Sequence, residues 1–301
     1  MNNKVSKGVM VIGLGSMGMG AAKSCIDAGL TVYGVDINSK ALNELKNYGA
    51  EAVSTDAKDF AQAVDSVLLL VVNASQVKAI LFESGLSDVL NSESTIMVSS
   101  TISAKDATEI EQRLSEKKLI MLDAPVSGGA AKAAIGEMTV MASGSQVAFD
   151  NLKPVLDAVA AKVYNIGPDI GQGSTVKIVH QLLAGVHIAA GAEAMALAAR
   201  ANIPLDTMYD VVTHAAGNSW MFENRMQHVV DGDYSPKSMV DIFVKDLGLV
   251  SDTAKDLKFP LHLASQALSM FVSASNMGFG KQDDSAVIKI FPDVDLPRGD
   301  K

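Results

Sequence analysis

From Gly8 to about Asn165, short apolar runs alternate with amphipathic stretches of roughly ten to fifteen residues, the rhythm of successive βαβ units in a parallel sheet. The runs predict strands at Val9–Ile12, Thr31–Val35, Val67–Val72, Thr95–Val98 and Leu119–Leu122. Val67–Val72 is apolar at every position, as a strand covered by helices on both faces requires.

A turn-rich stretch, Ile166–Ser174, then gives way to helical periodicity almost to the end. Helices are expected at Thr175–Arg200, Leu205–Ala215, Met239–Asp256 and Leu261–Met277, and the near-absence of strand signals makes this half all-α. The boundary is placed so that residues 1–167 and 168–301 form two domains. The Thr175–Arg200 helix is apolar nearly all round, which predicts burial. His187 and Glu193 interrupt it and Ala and Gly dominate it, which argues against a membrane span. The polar tail Asp293–Lys301 is expected to fray.

Length changes this picture little: 301 residues suffice for two domains with ample core. A net charge of −9 repels phosphodiester backbones and anionic lipid, so neither nucleic acid nor a membrane surface is an expected partner. A single cysteine, Cys25, has no intramolecular disulfide partner, and no leader-like segment opens the chain, which points to the cytoplasm. Cys25 reads as a small buried filler.

Gly13-Leu14-Gly15-Ser16-Met17-Gly18 follows the first strand and opens a helix, the context that gives a dinucleotide fingerprint its meaning. The first glycine permits the tight turn, the second admits a pyrophosphate, and the third lets helix pack on strand. Eighteen residues after Gly18, Asp36 ends the second strand, where it can accept from ribose hydroxyls and repel a 2′-phosphate, favouring NAD over NADP. Asn73, directly after the Val67–Val72 run, is placed with the cofactor-binding residues. These features predict an N-terminal Rossmann domain followed by the all-α one.

Ser127, Gly128 and Gly129 leave a strand at the sheet edge where ligands gather, and offer a hydroxyl and backbone N–H groups to a carboxylate. Lys177 lies near the start of the long apolar helix, with His180 and Gln181 beside it at i+3 and i+4. Desolvation brings a lysine towards neutrality, as a group trading a proton with a substrate hydroxyl requires, so Lys177 is the candidate general base and acid. The five histidines are scattered without ligand spacing, and no metal is expected.

Four blocks in this order, Gly13–Gly18, Asp123–Gly129, Gly171–Lys177 and Lys245-Asp246-Leu247-Gly248, resemble the β-hydroxyacid dehydrogenase family, which includes 3-hydroxyisobutyrate dehydrogenase, tartronate semialdehyde reductase and 6-phosphogluconate dehydrogenase. The resemblance implies a catalytic role for Lys177, a substrate-carboxylate loop at Ser127, Gly128 and Gly129, and cofactor contacts for Thr101 and Lys245. The chain departs from the family at His180-Gln181, often Asn-Asn, and at Lys132, often glycine. The histidine resembles the sugar-acid branch represented by 6-phosphogluconate dehydrogenase, and the blocks Val176–Gly185 and Gly217–Arg225 look like the L-threonate-oxidising bacterial branch, which implies oxidation at C2 to 2-oxo-tetronate with NAD. His180, Gln181, Ser219, Trp220 and Asn224 suit a polyhydroxylated sugar acid. The alternatives are a reductase of tartronate semialdehyde, a 3-hydroxyisobutyrate dehydrogenase, or a non-catalytic NAD-binding module. The all-α half resembles domains that pair subunits, so a homo-oligomer, dimer or tetramer, is expected.

Overall fold

The computed structural model describes residues 8–297 of the 301. They divide into two compact units between Lys177 and Ile178. The first unit begins β1 (Val9–Ile12), α1 (Ser16–Asp27), β2 (Val32–Val35), α2 (Ser39–Tyr48), β3 (Ala52–Ser54), β4 (Ser66–Leu69), α3 (Ala74–Lys78) and α4 (Leu86–Val89). It continues with β5 (Thr95–Val98), α5 (Ala104–Ser115), β6 (Ile120–Asp123), β7 (Val126–Ser127), α6 (Gly129–Ala134), β8 (Met138–Ser143), α7 (Gln146–Val159) and β9 (Ala160–Gly167).

The strands form one sheet in the order β3-β2-β1-β4-β5-β6-β8-β7, with β9 paired to β8. From β3 to β6 all pairings are parallel, whereas β8 runs antiparallel to β6 and β7. The strand order reverses at β1, which places the loop after β1 at the crevice where doubly wound sheets bind ligands. Along β1, Val9 and Val11 enter one core with Leu68, Met97 and Leu122, while Met10 and Ile12 enter another with Val67, Leu69 and Ile96. Both faces are therefore buried, which is why these strands show no polar alternation.

β1 and β5 begin and end where the sequence places them, and β2 and β6 differ by a residue at one end or both. The Val67–Val72 run leaves the sheet after Leu70, whose N–H still reaches the Ile12 carbonyl at 2.9 Å, because the amides beyond find other acceptors: Val71 N–H donates to Ser100 Oγ at 3.1 Å and Val72 N–H to Gln76 Oε1 at 2.8 Å. β3 and the last three strands went unread in the sequence.

The long helix α8 (Gln172–Arg200) crosses the division between the units. It starts within the turn-rich stretch, three residues before Thr175, because Gly173 lets its backbone approach the carbonyl oxygens of Met141 and Asp123, to which a Cβ would stand at 2.5 and 2.8 Å. The second unit adds α9 (Leu205–Thr213), α10 (Trp220–Asp231), α11 (Val240–Asp256), α12 (Ala264–Ala274) and a 3₁₀ turn over Asp284–Ile290. Its core joins Ile188 and Met195 to Phe222, Met226, Leu247 and the stacked pair Phe243–Phe271.

The expected all-round burial of α8 does not hold: Val179, Leu183 and Leu197 are 58%, 53% and 70% exposed. By length and composition α8 is apolar enough to cross a membrane, and half of its most apolar window is buried within the protein. The tail is pinned further than expected, with Val294 and Leu296 packed on the helical core and the Arg200 guanidinium donating to the Asp293 carbonyl at 2.8 Å. Its last four residues lie outside the described residues, as do the first seven of the chain.

Candidate active site

The glycine fingerprint adopts the geometry its spacing requires. Gly13 has φ +91°, and a Cβ on Gly18 would stand 1.7 Å from the Gly13 carbonyl oxygen. A Cβ on Gly15 would meet no protein atom within 4 Å, so the backbone there borders open space. Leu14 turns its side chain into the core, while Ser16 and Met17 open α1, with Ser16 exposed. Asp36, past the end of β2, accepts from the Leu14 N–H at 2.6 Å and the Asn38 N–H at 2.8 Å. An ionised carboxylate has about four lone-pair sites, so it retains capacity for ribose hydroxyls. Room beside Gly15, a helix N-terminus and an acid across the turn fit a nicotinamide dinucleotide, whose pyrophosphate these backbone N–H groups would hold.

Two further loops rise from the same strand ends. Asn73 caps α3, its Oδ1 accepting from Gln76 N–H at 2.9 Å. The bond from Val71 to Ser100 ties the loop after β4 to the loop after β5, where Thr101 is half-buried. Ile37, 93% exposed beside Asp36, was not singled out in the sequence.

Ser127 ends β7, and Gly128 and Gly129 carry the chain into α6 with φ +128° and +68°. The Lys132 ammonium pairs with Glu137 at 2.6 Å. α6 lies against α1 so closely that a Cβ on Gly20 would stand 2.6 Å from the Ala133 backbone, and Ser24 Oγ donates to the Ala133 carbonyl at 3.1 Å.

Asp123, read in the sequence only as the head of the substrate loop, is an anchor. Fully buried, it accepts from the Ser174 hydroxyl at 2.7 Å, Ser174 N–H at 2.8 Å, Gly171 N–H at 3.0 Å and Ser143 Oγ at 3.3 Å. Burial raises its pKa, against the pull of these four bonds. The carboxylate satisfies the orphan donors of α8's first turn and complements its dipole. Lys177 follows within one turn and is 6% exposed.

In the second unit, His180 Nδ1 lies 3.0 Å from Gln181 Oε1, the Gln181 amide donates to Asp246 Oδ2, and Asp246 Oδ1 pairs with the Lys245 ammonium at 2.6 Å. Gln181 and Asp246 are buried. The sequence named three of these four residues; Asp246 stood beside Lys245 in its block without a role. Ser219 caps α10, accepting from Phe222 N–H at 3.0 Å. Trp220, 56% exposed, is not a core residue. It lines an open pocket of about 340 Å³ with Tyr209, Asn224, His228 and Lys237, which includes none of His180, Gln181 or Lys245.

Among the described residues no cluster of three His, Cys, Asp or Glu side chains is placed to hold a metal ion. Cys25 is fully buried and desolvation pushes its thiol up to about 12, so it is inert.

Residues 8–167 match the model of the NAD-binding domain of 6-phosphogluconate dehydrogenase, and residues 171–291 that of the NAD-binding region of NADP-dependent 3-hydroxyisobutyrate dehydrogenase. The L-threonate dehydrogenase of Haemophilus influenzae is 71% identical over 96% of this chain and 97% of its own. That of Pectobacterium atrosepticum is 72% identical over 96% and 95%. A crystal structure described as 3-hydroxyisobutyrate dehydrogenase from Salmonella typhimurium is 68% identical, with TM-score 0.91 over 94% of this chain and 99% of that one.

Proposed function

The chain belongs to the β-hydroxyacid dehydrogenase family, and we propose from that premise that it oxidises L-threonate at C2 to 2-oxo-tetronate with NAD. It is an NAD-dependent hydroxyacid dehydrogenase; the observation that carries the choice of substrate is its identity, over nearly the full length of both chains, to the L-threonate dehydrogenases of two bacteria. A nicotinamide bound at the Gly13–Gly18 turn would supply the hydride acceptor for C2.

This chain's residues supply the rest. Lys177 takes the proton of the C2 hydroxyl as C2 loses its hydrogen, and returns it in the reverse direction. Ser127, Gly128 and Gly129 bind the substrate carboxylate, and His180 and Gln181 read the further hydroxyls. Gly13 to Gly18, Asp36, Asn73, Thr101 and Lys245 hold the cofactor, and the Asp36 charge selects NAD by repelling a 2′-phosphate. Apart from Lys245 the cofactor residues fall within 1–167, and 168–301 carries Lys177, the substrate residues His180 and Gln181, and the subunit pairing. The exposed apolar side chains Val179, Leu183 and Leu197 support a homo-oligomer, dimer or tetramer. A buried lone thiol and an acidic surface suit a cytoplasmic enzyme.

The name attached to the Salmonella structure favours a second reading, a 3-hydroxyisobutyrate dehydrogenase. Steady-state rates on L-threonate, D-glycerate and 3-hydroxyisobutyrate separate the two. L-threonate is expected to give the highest kcat/KM; inactivity on it beside good turnover of 3-hydroxyisobutyrate overturns the assignment.

A further inference from the structure

Four side chains of the helical unit form a chain of contacts whose polarity is fixed at one end. Asp246 is 2% exposed on α11, its Oδ1 lies 2.6 Å from the Lys245 ammonium, and a carboxylate only accepts hydrogen bonds. Gln181 must therefore turn its NH2 towards Asp246 Oδ2, which leaves Oε1, an acceptor only, at the other end of the amide. The group 3.0 Å from Oε1 is His180 Nδ1, and for that contact to be a hydrogen bond Nδ1 must carry the proton.

We propose that Asp246, acting through Gln181, locks the His180 imidazole in the Nδ1–H tautomer, so that Nε2 offers a lone pair to a substrate hydroxyl next to the one Lys177 deprotonates. His180 stands three residues after Lys177 on one continuous helix, where side chains at that spacing are neighbours. In water neutral imidazole favours the Nε2–H form, which would turn a donor towards that hydroxyl. Gln181 and Asp246 are thus positioning residues that decide which hydrogen-bond partner the substrate meets. A buried amide with both ends engaged holds the ring more tightly than a solvent-exposed one.

The inference rests on the sugar-acid reading for its substrate, and its test separates the two. In 15N-labelled protein, two-bond imidazole correlations report the tautomer of each histidine, and the His180 signal is assigned by its loss in His180→Asn. The expected result is an Nδ1–H signature in the wild type, moving towards Nε2–H in Gln181→Met, which keeps the side-chain length, and in Asp246→Asn. Gln181→Met is further expected to lower kcat/KM on L-threonate about 10- to 100-fold, mostly through KM, the loss of one well-placed hydrogen bond to a buried polar group. The fall in kcat/KM on 2-hydroxybutyrate, which keeps the carboxylate and the reacting hydroxyl but no other, should be several-fold smaller than that on L-threonate. An Nε2–H signature in the wild type, or equal loss on both substrates, overturns the proposal. If wild-type enzyme ignores L-threonate, the substrate reading falls, and the tautomer measurement still decides this one.

Discussion

Asp123 and Ser174, 51 residues apart in sequence, are joined twice, the hydroxyl and the backbone N–H of the serine both donating to one carboxylate at 2.7 and 2.8 Å. The junction fixes the first turn of the helix that carries Lys177. Asp123→Ala would leave the Gly171 and Ser174 amides and two hydroxyls without their buried acceptor. A loss of about 3–4 kcal/mol is expected in urea denaturation, with kcat falling as the helix start loosens. Ser174→Ala should cost only about 1–2 kcal/mol.

Replacing the proposed proton-transfer group tests the chemistry directly. Lys177→Met is expected to lower kcat by about 10²- to 10⁴-fold. NAD affinity, read by quenching of the single tryptophan, should hold. Undiminished turnover would show that another group carries the proton.

The proposed role of Asp36 in cofactor choice rests on its negative charge. Asp36→Ser should weaken NAD binding about 10- to 100-fold, the worth of hydrogen bonds to a charged group, and raise relative activity with NADP. Steady-state KM values for the two dinucleotides measure both effects. An unchanged preference would remove Asp36 from the selection.

Two adjacent carboxylates of the helical unit give opposite pH dependences. Burial pushes Asp283 upward, but hydrogen bonds from His228 and Ser285 hold it down to about 2. Its folded pKa is depressed, so its contribution, about 2 kcal/mol, is present above pH 4 and lost as pH falls towards 2. Burial raises Asp284 to about 7 against the nearby Arg225 guanidinium, so the stability tied to its protonated form is lost as pH rises from about 4 to 7. Urea midpoints across these windows should flatten below about pH 4 in Asp283→Asn and between about pH 4 and 7 in Asp284→Asn.

The exposed apolar residues of α8 make assembly testable. Leu183→Glu and Leu197→Glu together are expected to lower the mass seen by light scattering to that of a smaller assembly or a monomer, with secondary structure retained. An unchanged mass would move the contact elsewhere.

Much of this was legible in one sequence because β1, β4, β5 and β6 are buried on both faces, and the glycines from Gly13 to Gly18 obey steric demands that only glycine meets. Local pattern does not carry pairing across the chain. Asp123 looked like the first residue of a loop because its partners lie at Ser143, Gly171 and Ser174. β9 was missed because its residues are exposed or half-buried, which breaks the apolar signal. Gly171 to Ser174 read as a linker, yet Gly173 sits inside a helix, since the close approach of two carbonyls forbids any larger residue there. Helix α10 was overlooked because its cap, Ser219, follows a turn and one of its faces is polar from Trp220 to Asp231.

The contact of α1 with α6 at Gly20 and Ala133 is backbone on backbone, with no side chain between to absorb a misfit. One of these helices opens at the Gly13–Gly18 turn and the other follows Ser127. A segment transplanted from a relative in place of the second helix would therefore clash or gape unless the facing stretch of the first helix travelled with it, so the two would have to be exchanged as a pair.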